Sequence, residues 1–311
     1  MPGLEIHPFA EEHLDDAARL LEERHRRHRQ AEPLLGADYD YRAEITSLDD
    51  ATGVAGTRNG RVVGYLLGVR HDDARWGPNV WIDPPGYAVE EPEDVRDLYR
   101  AAAAGWFDEG RTRHYAITPA SDTAALEAWH RLSFGHQAAM AILQIPDAAW
   151  PENVRLAKED DIDELMELSP AISDYQAEAP VFGVGLPRED PDELRAEILE
   201  DIAKPELGDL VAEQHGRIVG AFQLAPVELS STHSGLARPN GAVLLAWAAT
   251  RPETRGSGAG VALTQASFAW ARDQGYTTMV TDWRETNLLS SRFWPKRGFR
   301  RSFLRLYRSI P

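Results

Sequence analysis

The stretch Ala242-Val243-Leu244-Leu245-Ala246-Trp247-Ala248-Ala249-Thr250 leads through Pro252 into Arg255-Gly256-Ser257-Gly258-Ala259-Gly260. Its near-continuous apolar run reads as a buried strand, and the proline marks a tight turn. An apolar helix follows from about Val261 to Arg272, with Gly275 at the capping position beyond it. Strand, glycine turn and helix in this order make a cradle for a diphosphate. Glycines remove the side chains that would hold a phosphate away from main-chain N–H groups. The helix then starts with unsatisfied donors and the positive end of its dipole. Arg255 adds a charged fork at the entrance. Two other readings stand beside this one. The first is a plain glycine turn before a helix. The second is a dinucleotide loop with Asp282 as its ribose acid, although that fingerprint needs G-x-G-x-x-G and this loop is G-x-G-x-G.

Composition sets the frame. A chain of 311 residues with 43% hydrophobic content is long enough for two cores. The formal charge of -17 disfavours nucleic acid and anionic membranes and favours cationic partners such as amines. An anionic ligand must therefore find a local positive site. With no cysteine, disulfides, cysteine-ligated zinc and thiol nucleophiles are excluded. No metal site is expected. The absence of cysteine also fits a reducing compartment. The opening Met1-Pro2-Gly3-Leu4-Glu5-Ile6 lacks the pattern of a signal peptide, and no apolar run approaches the ~18 residues of a membrane span. The expected location is cytoplasmic.

The chain also repeats itself. Asn59-Gly60 and His215-Gly216 each sit between β-branched runs and predict a hairpin in each half. With an offset of 165, Leu98 matches Leu263, Asp108 matches Asp273, Gly110 matches Gly275, Trp129 matches Trp294 and Phe134 matches Phe299. An ungapped register across helix, strand and helix reads as duplication of one α/β domain. The proline-bounded stretch 147–153 reads as the linker, giving domains at 1–146 and 154–311.

Two spaced motifs carry a family resemblance. Arg255, Gly258 and Gly260 meet [Q/R]-x-x-G-x-[G/A]; Asn287, Ser290, Trp294, Gly298 and Phe299 meet a later pattern of Asn, small residue, aromatic and Gly-Phe. In these the sequence resembles the GNAT N-acetyltransferase superfamily over about 154–311, and through the duplication over the first half. The resemblance implies two tandem domains of α/β (α+β) class. Each would have a mixed, mostly antiparallel, splayed central sheet flanked by helices. It implies acetyl-CoA, or another acyl-CoA, held by Arg255, Gly256, Ser257, Gly258, Ala259 and Gly260. Backbone groups of Ala248 and Thr250 would pair with pantetheine, Asn287 would lie near the thioester, and Trp294 would pack along the arm or in the core. The acceptor would be a small-molecule amine.

The family often has a tyrosine where Trp294 stands, and tryptophan has no ionisable proton to give a leaving thiolate. Tyr276, Tyr307, Ser290 or water is left for that role. Asp282, at the end of the strand 277–283, is the first choice of general base, followed by Glu228, Glu213 and Glu285; each also reads as a solvated carboxylate. His233 falls in a polar loop, 230–235, that reads as a connection between strands or a substrate contact. In the first half, Glu90-Glu91-Pro92-Glu93-Asp94 replaces the arginine and glycines, so no coenzyme A is expected there. Asp122 replaces Asn287. The basic run 24–29 reads as a solvated helix end. An acyltransferase, a non-catalytic coenzyme A-responsive protein and a nicotinamide-dependent enzyme are the three function classes carried forward.

Overall fold

The computed structural model describes residues 3–73, 76–183 and 190–311. In chain order the elements are β1 (Glu5–Pro8), α1 (Leu14–Ala31), α2 (Tyr41–Thr46), β2 (Thr52–Arg58), β3 (Arg61–Asp73), β4 (Gly77–Ile82), β5 (Tyr87–Val89), α3 (Asp94–Asp108), β6 (Arg113–Pro119), α4 (Thr123–His130) and β7 (Gly135–Gln144). There follow β8 (Val154–Leu156), α5 (Ile162–Leu168), α6 (Ala171–Ala177), α7 (Pro191–Ile202), β9 (Gly208–Gln214), β10 (Arg217–Pro226), β11 (Val243–Thr250), α8 (Ala259–Asp273), β12 (Thr278–Arg284), α9 (Ser290–Phe293) and β13 (Arg300–Ser309).

The duplication is visible in these bounds. α3 and α8, β6 and β12, and β7 and β13 begin and end 165 residues apart. β2 and β9 likewise match with an offset of 156. Both expected hairpins form. Asn59 and Gly60 have φ of 53° and 74°, and His215 and Gly216 have 53° and 73°. Two successive residues with positive φ make the turn whose twist suits a two-residue hairpin.

The chain divides into two compact units. The first comprises Met1–Met140, Ser234–Pro239 and Arg301–Pro311; the second comprises Ala141–His233 and Asn240–Arg300. This partition differs from a cut at 147–153. The last strand, though encoded with the second half, belongs to the first unit. There β13 lies antiparallel to β6, from Phe303 opposite Pro119 to Ser309 opposite Arg113. The sheet order in the first unit is β1-β2-β3-β4-β6-β13, with β5 beside β3. In the second it is β12-β11-β10-β9-β8. Each sheet is mixed, antiparallel except where β4 meets β6 and β11 meets β12.

The basic run on α1 is a solvated face only in part: Arg26 and Arg27 are exposed, whereas Arg24, His25 and His28 are buried, continuing the inward stripe of Leu14, Ala17, Leu20 and Leu21. Spacings of three and four residues keep all of these on one side of the helix. The two terminal nitrogens of the Arg24 guanidinium donate to the carbonyls of Tyr87 and Pro84. The Tyr65 hydroxyl donates to Pro85 O at 2.8 Å, and Tyr87 bonds Thr118 of β6 at 3.1 Å. The region between β5 and β6 is thus filled by the unit's own side chains.

Candidate functional site

In the second unit, β11 pairs with β12 only at Val243–Met279 and Leu244–Val280. One further tie follows, from the Thr281 hydroxyl to Leu245 O at 3.0 Å. Beyond it the strands part. The cause lies on the other edge of β11. Gln223 pairs with Trp247 and Leu224 with Leu245, leaving Ala246 as a bulge. A bulged strand bends and twists more strongly.

Alternation then fixes which way the main chain points. Arg251 N–H donates to Val219 O at 2.9 Å, so 219 and 251 form a hydrogen-bonded pair. In an antiparallel ladder every second pair is of that kind, which makes 221/249 and 223/247 bonded and 220/250 and 222/248 not. The N–H and C=O of Ala248 and Thr250 therefore face away from β10, into the gap where β12 has left. These are the two residues expected to offer main-chain groups there.

The gap leads to the glycine turn. Gly256 and Gly258 have φ of 86° and 95°, and a Cβ at either would meet nothing within 4 Å. Space and left-handed backbone are both reserved for glycine. Gly258 is the N-cap of α8 and no side chain caps that helix. Among the described residues, the N–H groups of Gly256, Gly258, Ala259 and Gly260 meet no acceptor, whereas Ser257 N–H turns inward to Thr254 O at 3.1 Å. Ser257 Oγ is held by Gln214 at 3.0 Å. Arg255 is exposed, and its guanidinium lies 5.2 Å from the centre of the Tyr175 ring on α6. Four free donors, a helix pole and an arginine without a carboxylate partner among the described residues concentrate positive potential at this turn on an acidic chain.

The later motif has a different content. Asn287 Oδ1 accepts from Leu289 N and Ser290 N, both at 3.1 Å, and so caps the turn into α9. Trp294 is 6% exposed, in an aromatic cluster with Phe222, Phe293 and Phe299. Phe293 lies against Gly260, whose Cβ would stand 3.4 Å from its ring. Phe293 and Tyr175 had no distinguishing mark in the sequence: Phe293 falls between the motif positions Ser290 and Trp294, and Tyr175 belongs to a short helix without a motif.

The acid candidates separate by place. Leu244 and Val280 share a face, and so therefore do Asp282 and Arg284 beyond them. Through the bulge, Trp247, Gln223 and Asp209 lie on the same face. Asp282 is exposed there, just past the parting. Arg284 Nε donates to Gln176 Oε1 of α6 at 3.0 Å. Burial pushes the Asp209 carboxyl up to about 6, with Gln223 opposing and Asp201 adding like charge. Glu213 is tied to Arg155, and Glu285 accepts from Trp283 Nε1 at 3.2 Å. Glu228 and Tyr276 adjoin the starts of β11 and β12, where the strands are still paired. Ala242, whose carbonyl bonds Val227 N–H, lies about 10 Å along β11 from Leu245. Tyr307 lies in the first unit, on β13 opposite Tyr115. Ser290 is part of the capped turn of α9. His233 is fully buried. Among the described residues no cluster of three or more His, Cys, Asp or Glu could hold a metal, and no helix is long and apolar enough to cross a membrane.

Residues 171–299 match the family model Acetyltransferase (GNAT) family. Over nearly its full length the chain resembles in structure a GCN5-related N-acetyltransferase from Sphaerobacter thermophilus. The TM-score is 0.59 and the identity 13%, over 98% of this chain and 95% of the other. It also resembles a tandem GNAT protein from the clavulanic acid biosynthesis pathway, with TM-score 0.50 and 15% identity over 99% of each chain. At such identities the likeness is one of fold. No curated protein matches the sequence.

Proposed function

We propose that this chain, which carries a domain of the acetyltransferase (GNAT) family over residues 171–299, is an N-acyltransferase that moves an acyl group from acyl-coenzyme A to a primary amine. The carrying observation is the junction of two features: the unpaired edge of β11 at Ala248 and Thr250, and the open N–H groups of the turn at 256–260 into which it leads. A pantetheine arm has alternating amides that can pair with such an edge, and a diphosphate fits the turn. Arg255, Gly256, Ser257, Gly258, Ala259 and Gly260 form that turn, with Ser257 contributing its hydroxyl side rather than its N–H. Acetyl-CoA is the proposed donor. Trp294 serves as packing behind the arm, and Asn287 fixes α9 beside it.

The chemistry needs three services. The bulge at Ala246 re-aims main-chain donors at the point of parting, where the oxyanion of a tetrahedral intermediate would form. Asp282, exposed beside that point, takes a proton from the attacking ammonium. The amine approaches over the face of Trp247 and Asp209, where carboxylates attract a cation. Glu228 and Tyr307 drop out of the assignment, one about 10 Å below the parting and the other in the first unit. The thiolate leaves without a tyrosine to protonate it, and water is the proton source.

The test uses the full chain, because cutting at 147–153 would take β13 from the first unit. Calorimetry with acetyl-CoA should show one site per chain. Release of free thiol with a panel of primary amines should then depend on the amine. Tight binding with no amine-dependent thiol would instead favour a coenzyme A-responsive binding protein, the reading that the non-ionisable Trp294 supports.

A further inference from the structure

Asp and Glu outnumber Lys and Arg by 50 to 33, so cations on this chain have carboxylates at hand. In the second unit Arg155, Arg217 and Arg251 are all paired in this way. Arg292, Lys296 and Arg297 are not. None of the three has a carboxylate partner or a hydrogen-bond acceptor for its side chain among the described residues. They lie together, on α9 and on the turn Pro295–Arg297 that follows it, with Arg292 and Lys296 exposed. The positions 165 residues earlier hold Glu127, Ala128, Arg131 and Leu132 in place of Arg292, Phe293, Lys296 and Arg297. The one cation among them, Arg131, is paired with Glu93 at 2.9 Å. At these positions the unpaired cluster belongs to the copy that has the glycine turn.

Phe293 ties the cluster to that turn. The rim of its ring lies against the first turn of α8, where a Cβ on Gly260 would stand 3.4 Å from it. Arg297, four residues on, lays its guanidinium over the same ring, 5.1 Å from the centre. Side chains four apart meet on one side of a helix. The Arg297 Nε is buried and has no hydrogen-bond partner among the described residues. Packing on the ring, and not a carboxylate, thus holds this planar cation. Arg255 is held in the same manner on Tyr175. Two arginines lying on aromatic rings therefore flank the open N–H groups of residues 256–260, and Arg297 stands one ring's width from Gly260.

We infer that Arg297, with Lys296 and Arg292 beside it, is the subsite for the 3′-phosphate of the acyl-coenzyme A, and selects that cofactor over its dephospho form. The inference rests on coenzyme A being the ligand of the glycine turn, as proposed above. A diphosphate at the turn meets the four N–H groups and Arg255. A second anion on the same ligand then needs a separate cation a short way off, and coenzyme A carries one, a single ribose removed from its diphosphate. A phosphate monoester is mostly dianionic near pH 7. A guanidinium fork takes two of its oxygens at once, and a fork already fixed on a ring has less freedom to lose. Lys296 and Arg292, exposed at the rim, add charge without fixed geometry.

The experiment is calorimetry on the full chain with acetyl-CoA and with acetyl-dephospho-CoA. The wild type should bind the first about tenfold more tightly, and added salt should narrow the ratio because the site is open to solvent. Arg297→Gln should weaken acetyl-CoA by about tenfold and leave the dephospho form within about twofold, so that the preference disappears. Lys296→Gln, further out, should cost acetyl-CoA about threefold and the dephospho form nothing. Arg297→Gln breaks no hydrogen bond among the described residues, and circular dichroism checks that it folds. If it does not, the wild-type ratio and Lys296→Gln decide. Equal affinity of the wild type for the two ligands overturns the inference. So does a preference that survives Arg297→Gln, or a variant that loses both ligands equally, which would make the Arg297–Phe293 stack a support for the turn alone. Binding of neither ligand by the wild type is a different failure, that of the coenzyme A reading itself.

Discussion

α3 and α8 are the same helix twice, each 15 residues long and 165 residues apart, and their amino ends have opposite chemistry. At α8 the approach is glycine, four N–H groups are open and Arg255 has no carboxylate partner among the described residues. At α3 the approach is acidic, and its carboxylates pair with four arginines. Asp94 takes both arms of Arg58 at 2.6 and 2.7 Å, Glu90 takes Arg61, and Glu93 takes Arg96 and Arg131. Carboxylates stabilise the positive pole of a helix as well as a phosphate does. One copy has therefore internalised its anion, and the other leaves the place open. The position of Arg58 in the first repeat is held by Gln214 in the second, where it reaches Ser257 instead.

The largest effect expected from this contrast is on Gly258→Glu, which gives α8 the acidic amino end of α3. It places a carboxylate where a diphosphate would lie and forces a side chain to φ 95°. Acetyl-CoA affinity should fall by at least ~1,000-fold, about 4 kcal/mol, in calorimetry on the full chain. The fold should survive, since a Cβ there meets nothing within 4 Å. Unchanged affinity would mean that this turn is not the diphosphate site.

Next in size is the reciprocal experiment. Arg58→Ala leaves Asp94, whose side chain is 6% exposed, without its bidentate partner. Loss of one member of a buried pair should cost about 3 kcal/mol of stability in chemical denaturation. It should not create a second acetyl-CoA site, because Arg24, Tyr65 and Tyr87 still fill the region between β5 and β6. Two sites per chain in this variant would show that the ion pair, and not the filled gap, is what keeps cofactor out.

Acid should separate the units more mildly. Burial, with Arg24 adding to it, pushes His28 down to about 3, and burial pushes His114 down to about 4. Both belong to the first unit. A histidine with a depressed folded pKa binds fewer protons folded than unfolded between that pKa and 6.5. Its contribution is therefore present above pH 6.5 and is lost as pH falls toward 4. From pH 7 to 5.5 each should remove about 1 kcal/mol. Hydrogen exchange should show first-unit amides losing protection over that range, and His28→Gln should flatten the loss. Equal acid sensitivity in both units would sever the link to these two groups.

Much of this was legible in the sequence, and the reasons differ by element. The hairpins were, because left-handed turn residues are few; so was the glycine turn before α8, because only glycine tolerates its backbone. The parting of β11 and β12 was not. It depends on a one-residue register slip at Ala246, and no residue type marks a slip in a run of alanines and leucines. Nor was the burial of Arg24, His25 and His28, where charge suggested solvent and helical period decided otherwise. The fate of β13 lay beyond reading as well. It takes the place of β7 in the repeat, 165 residues on, and which sheet it joins is settled by long-range pairing that local pattern does not encode.

Asn287 gives the finest cut between the copies. Read as a motif, its replacement by aspartate in the first half looks like the loss of a cofactor residue. In the structure both side chains do the same work: Asp122 accepts from Ala125 N at 3.0 Å and caps α4, as Asn287 caps α9. Asn and Asp are nearly equal as caps, whereas alanine loses about 1 kcal/mol. Asn287→Asp should thus leave thermal stability within about 0.5 kcal/mol and acetyl-CoA affinity within about threefold, and Asn287→Ala should destabilise by about 1 kcal/mol. A large loss of affinity in Asn287→Asp with stability intact would instead make the amide a direct cofactor contact. The difference at this position would then count, with the glycines, among the changes that separate an open copy from a closed one.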